Sequence, residues 1–266
     1  MISKKIMGYK ARLILSKNWL FYGTVFLICL FNFSALFNSG VLLSGGADIN
    51  KFEKYELIMN NYNMISSLYG LIFSICLGAA MIGPDIKSGN IYVVMSAVNS
   101  RKKYYFNCVI VGLILYLIVH TVITINCIVI MLALSVNIVW SDLVYMCLGL
   151  YLNAAVFFMF TSAFSVVMKG YSSIIAGILM YVYYSLYTFN TIPFVDGYIG
   201  FDISSHKNLL SILFPARKMF LKSLSDISVI EQYTLNPLGI NAPYYQIIYC
   251  IIMFILGMYI FEKKNL

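Results

Sequence analysis

The chain has 266 residues, of which 61% are hydrophobic and only 11% charged, and its formal net charge is +8. A soluble domain carries about 45–50% apolar and roughly 25% charged residues, so an ordinary water-soluble domain is excluded and lipid is the natural solvent. The positive charge sits beside apolar stretches, as membrane flanks do, and no arginine-rich run or zinc-ligand pattern points to nucleic acid.

In chain order, residues 1–18 come first. Ile2, Ile6, Tyr9 and Leu13 recur at helical spacing with lysines between them. Such a helix can lie in the membrane interface with its basic side toward anionic headgroups. The other reading is a plain basic flank of a first span. The apolar stretch beginning at Trp19 is too long for a signal-peptide h-region, and no small-x-small cleavage site follows, so it is read as an uncleaved span.

Six segments are long and nearly free of charge: 19–43, 64–83, 105–134, 143–167, 172–192 and 244–261. In hydrocarbon every backbone donor and acceptor needs an internal partner, so each is expected to be helical. Spans one to five occupy 19–192, a long loop occupies 193–243, and span six with a short tail occupies 244–266. Together they make one transmembrane domain. Twelve of the 18 Lys and Arg residues lie in the N-terminal arm, the loop after span two, the span four–five turn and the tail. The other six, Lys51, Lys54, Lys207, Arg217, Lys218 and Lys222, spread over longer loops. Positive loops stay inside, which puts both termini of a multi-pass cell-membrane protein in the cytoplasm.

In the outer loop, Leu209, Leu213, Phe214, Phe220 and Leu224 mix with Arg217, Lys218 and Lys222 around Pro215, which interrupts any helix. Two short amphipathic helices over the outer mouth are expected; a packed loop without a role of its own is the alternative. The spans hold no Asp, Glu, Lys or Arg, which argues against proton relays, ion-coupled carriers and voltage sensors. His120 is the titratable side chain at depth, with Asn126, Asn153 and Asn190 as polar company, and it reads as a helix–helix hydrogen-bonding residue. With His120 and His206 alone there is no metal-ligand set, and neither a nucleophile elbow nor a Walker A loop is present, so no catalytic or metal residue is assigned.

The most informative stretch follows span two: Gly83-Pro84-Asp85-Ile86-Lys87-Ser88-Gly89-Asn90-Ile91, then residues 92–99, then Ser100-Arg101-Lys102-Lys103-Tyr104. Ile91, Met95 and Val98 share one helical face, and a short helix at the membrane's inner edge can offer that face to a soluble partner. Here the chain resembles the permease subunit of ABC transporters of the type-2 exporter class. The matching positions are Asp85, Gly89, Ser100 and Arg101. The chain differs from the usual pattern in having Asp85 where Glu is commoner, Asn90 where Thr or Ser is commoner, and Asn107 in the region of a further basic residue.

The resemblance implies an all-α integral membrane fold with an N-terminal elbow helix (1–18), six transmembrane helices and a helical extracellular insertion between helices five and six. It implies coupling to separate cassette ATPase subunits, which bind the ATP and Mg, through Asp85, Gly89, Ile91, Met95, Val98, Ser100 and Arg101. It also implies a second permease subunit, identical or related, in the lipid bilayer. The tetrapeptide at 43–46, Leu-Ser-Gly-Gly, looks like the start of a cassette signature but has no phosphate loop to act with, and is read as a turn leaving a helix.

A charge-free path suits a hydrophobic or amphipathic cargo. In span five, Tyr181, Tyr184, Ser185 and Thr188 combine rings with hydroxyls and can line it; packing between helices or an interfacial belt is the alternative. The layout is similar to exporters of cytolytic, phenol-soluble-modulin-like peptides. Export of lipid, drug or polysaccharide, a non-transporting sensor or assembly partner, and an ATP-independent channel stay open.

Overall fold

The computed structural model describes residues 4–15, 19–38, 51–98, 100–168, 171–188 and 242–264, and all of its regular structure there is helical. Helices α1 (Lys4–Leu15) and α2 (Trp19–Asn38) are followed by α3 (Lys51–Ile65), which runs through one π turn, Ser66–Gly70, into α4 (Leu71–Ser88). Then come the short α5 (Asn90–Val98), the long α6 (Arg101–Ala133) and α7 (Trp140–Val167), α8 (Ser173–Thr188) and α9 (Ala242–Lys263). The expected helices over 193–243, the turn at 43–46 and the end of span five lie outside the described residues.

Among the described residues, four helices are long and apolar enough to cross a membrane: Lys54–Ser88, Arg101–Ala133, Trp140–Val167 and Pro243–Lys263. The apolar runs Tyr22–Ser34 in α2 and Ser173–Tyr183 in α8 are shorter. This is the composition of an all-α membrane-embedded protein. Its helices carry large apolar side chains outward, among them Ile118, Ile125 and Leu132 on α6 and Ile251, Ile252 and Ile255 on α9, all more than half exposed. Water penalises such faces, and lipid does not.

One expectation needs correcting. Residues 51–63, read as outer loop, are helix continuous with span two. Tyr55, Ile58, Met59, Tyr62 and Ile65 form a buried stripe at three- and four-residue spacing. The Lys, Glu and Asn residues between them depress hydropathy without breaking that stripe. At about 1.5 Å per residue, the rod of α3 and α4 far exceeds the roughly 30 Å hydrocarbon core.

Helix α7 is the hub, packed on α4, α8 and α9. Small residues set how close the helices come, as membrane packing favours. A Cβ on Gly78 of α4 would lie 2.7 Å from the Phe158 carbonyl oxygen of α7. One on Gly257 of α9 would run into the Tyr105 hydroxyl, and one on Gly112 of α6 into the Phe158 ring. Polar side chains bond between helices: Gln246 Nε2 donates to Asn153 Oδ1 at 2.7 Å, Asn126 Nδ2 to Asn32 Oδ1 at 2.6 Å, and Ser34 Oγ to Asn61 Oδ1 at 2.9 Å.

The bundle has two distinct ends. At one, Tyr55 at the start of α3 donates to Asp142 Oδ2 at 3.3 Å, beside the 134–139 turn between α6 and α7. At the other, α4, α7 and α9 finish and α6 begins, joined by contacts described below. Lys87, Arg101, Lys102, Lys103, Lys263 and Lys264 all belong to this basic end.

Candidate functional site

The basic end is built around a buried ion pair. Lys10 of α1 is fully buried and Asp85 of α4 is 2% exposed. The Lys10 ammonium donates to Asp85 Oδ2 and, at 2.7 Å, to the Met81 carbonyl. Tyr104 of α6 donates its hydroxyl to the same Asp85 oxygen, and its ring lies 5.6 Å from Lys10 Nζ. Three helices from separate parts of the sequence therefore meet at one carboxylate. Pro84 lies one residue before Asp85 within α4; having no N–H, it leaves the Ala80 carbonyl without its helical donor, one residue before the Met81 carbonyl that Lys10 bonds.

Lys10 turns α1 to a face other than the expected one. Ile6, Lys10 and Ile14 form the buried stripe, whereas Tyr9 is exposed. A lysine centred between two isoleucines at four-residue spacing is the signal that could have shown this. An isolated ammonium would make that stripe prohibitively costly to bury, and the Asp85 carboxylate, with the Met81 carbonyl, offsets part of that cost.

Beyond Asp85 the chain turns sharply. Gly89 ends α4 in the left-handed region at φ +73°, a conformation that side chains with a Cβ resist. Tyr92 N–H donates to the Gly89 carbonyl at 3.1 Å, starting α5 at once. After α5, Ser100 is the N-cap of α6, its hydroxyl accepting from Lys103 N–H at 3.3 Å. Gly89 and Ser100, both singled out in the sequence, thus stop α4 and start α6 on either side of α5.

The face that α5 presents is not led by Ile91. Ile91 is fully buried, while Tyr92 and Val93 are 58% and 72% exposed. Ile91 follows directly on the Gly89 turn, which swings it back under the bundle. The side chains of Met95 and Val98 lie outside the described residues.

Arg101 opens α6 and closes α9. Its guanidinium donates to the carbonyls of Glu262 and Lys264, at the C-terminal end where α9 carries partial negative charge. Lys102 pairs with Glu262 at 3.1 Å. Lys264 in turn donates to the Val166 carbonyl at the end of α7. Asn107 turns back on its own helix, donating to the Lys103 carbonyl.

The proposed path residues are elsewhere, on α8. Tyr181 and Ser185 are half-buried there, and the side chains of Tyr184 and Thr188 lie outside the described residues. His120 is a bridge between helices. It contacts the Tyr62 hydroxyl at 3.3 Å and the Cys147 carbonyl at 3.0 Å, with Tyr116 stacked on its ring. Among the described residues no three His, Cys, Asp or Glu side chains gather to hold a metal ion. No known family model, curated protein or solved structure matches this chain.

Proposed function

We propose that this chain is the permease subunit of an ATP-driven exporter of the ABC type-2 class. In this reading α1 is the elbow helix, α2 to α4 and α6 to α9 supply six spans, both termini are cytoplasmic, and α5 is the handle that a cassette ATPase grips. ATP and Mg act on that separate subunit. A second permease, identical or related, completes the pathway. The cargo is hydrophobic or amphipathic, a cytolytic or antimicrobial peptide being the best fit to a charge-free path.

The observation that carries the reading is the mounting of α5. A helix of under three turns follows directly on the left-handed Gly89 and leads to α6, whose first turn Ser100 caps. It sits among the basic ends of the long helices and turns Tyr92 and Val93 outward. A force on α5 would pass directly to α4 and α6, and through the Asp85 ion pair to α1. An apolar outward pair on a rigid lever is what a soluble partner needs in order to move membrane helices.

The test is co-expression with candidate cassette ATPase subunits from the same cell. The pair is expected to co-purify, and Tyr92→Asp with Val93→Asp is expected to abolish association while membrane insertion is retained. Cargo transport by the chain alone in vesicles, without any ATPase, would remove the proposal.

A further inference from the structure

We propose that a groove between α6, α7 and α9 binds one anionic glycerophospholipid, with an acyl chain in the groove and the phosphate at Lys102 and Lys103. The groove has a volume of about 270 Å³, and its walls are apolar, including Phe106, Leu113, Tyr151, Met159, Ile251 and Phe254. The Tyr151 hydroxyl is turned to the Leu113 carbonyl at 3.4 Å rather than left unpaired in the groove.

Charge decides the occupant. On α6, Lys102, Phe106, Val109 and Leu113 follow one another at helical spacing on a single face. The groove therefore runs along the same stripe that ends in a lysine one turn below Phe106. On α9, Ile247, Ile251 and Phe254 line the groove, and Glu262 follows on that stripe. Lys102 and Glu262 meet at 3.1 Å across the basic mouth, both close to half exposed. Lys103, the next residue on α6, is partly buried, and Lys263, the next on α9, is exposed.

Three cations against one carboxylate favour an anionic group at this level, and the apolar walls above favour a hydrocarbon chain. One molecule that offers both in that order is a phospholipid of the leaflet at this end, and basic pockets between membrane helices recognise such headgroups. Glu262 holds Lys102 when the site is empty and competes with the phosphate when it is filled. The inference does not depend on the exporter reading, because it concerns the lipid-facing side of α6 and α9 rather than α5.

Native mass spectrometry of the full chain, released from micelles doped with equal dioleoylphosphatidylglycerol and dioleoylphosphatidylcholine, tests it. The chain is expected to retain phosphatidylglycerol over phosphatidylcholine. Lys102→Ala and Lys103→Ala should each reduce that preference about fivefold, with phosphatidylcholine retention unchanged. Glu262→Gln should raise it, an outcome that mere loss of structure cannot produce. Ile251→Trp, at a position already 53% exposed, should lower retention of both lipids by filling the groove. Equal retention of the two lipids by the unaltered chain overturns the proposal. So does a preference that Glu262→Gln and the lysine variants leave unmoved, or retention that Ile251→Trp leaves unmoved.

Discussion

Replacing Asp85 by Asn tests the ion pair on which the basic end is built. The substitution keeps size and removes charge. Lys10 would then be a fully buried ammonium held by the Met81 carbonyl and the Tyr104 ring. Breaking one side of a buried pair costs about 3–5 kcal/mol, because a charge is left without compensation in a medium that cannot solvate it. Lys10→Met should cost a similar amount, since it leaves the Asp85 carboxylate with the Tyr104 hydroxyl as the bond described here. Replacing both at once, Lys10→Met with Asp85→Leu, removes the two charges together and should recover most of the loss.

The assay is denaturant unfolding of the purified chain in mixed micelles, carried through all four members of the cycle. The two single losses should exceed the double loss by at least about 2 kcal/mol, at the upper end of coupling between residues in direct contact. Additivity within about 0.5 kcal/mol would refute the reasoning and would mean that α1 is not tied to α4 through these side chains.

Gly89→Ala should cost roughly 1–2 kcal/mol, the penalty for a Cβ in the left-handed region, and, on the proposed exporter reading, should weaken co-purification of the ATPase by releasing α5 from its angle. Gly78→Ala should destabilise the bundle by about 1–3 kcal/mol in the same unfolding assay, because its new methyl meets a backbone oxygen of α7. Gly8→Ala on α1, where a Cβ meets nothing within 4 Å, should be neutral or mildly stabilising, and a similar loss at both glycines would show that packing is not the cause. In a background lacking its six cysteines, Lys87→Cys should be shielded from an impermeant maleimide in intact cells while Ser141→Cys is labelled. Labelling of both would overturn the orientation.

Several elements were legible because a single physical rule governs them. The helices around 105–134, 143–167 and 244–261 appear within a few residues of where charge-free length placed them. Gly89 and Ser100, named in the sequence only for the resemblance they carry, stand at the end of α4 and at the start of α6, on either side of α5. What hydropathy missed is amphipathic. Residues 51–63 hide a buried stripe among polar side chains, and a window average cannot separate one face of a helix from the other. Tyr55 and Asp142 were missed for a related reason: Tyr55 lies in the stretch read as loop and Asp142 at the rim of an apolar segment, and only the fold brings them together at 3.3 Å.

The amino-acid order alone determined the solvent and the period. So many apolar residues in runs of twenty or more must be helical in lipid, because backbone hydrogen bonds can then be closed only within the segment. The tertiary structure decided which faces meet. It buried Ile91 and exposed Tyr92 and Val93, and it turned Lys10 inward onto an aspartate 75 positions away. Pairings of that kind depend on the relative rotation of whole helices, which close contacts such as Gly78 on Phe158 settle and which no local pattern encodes.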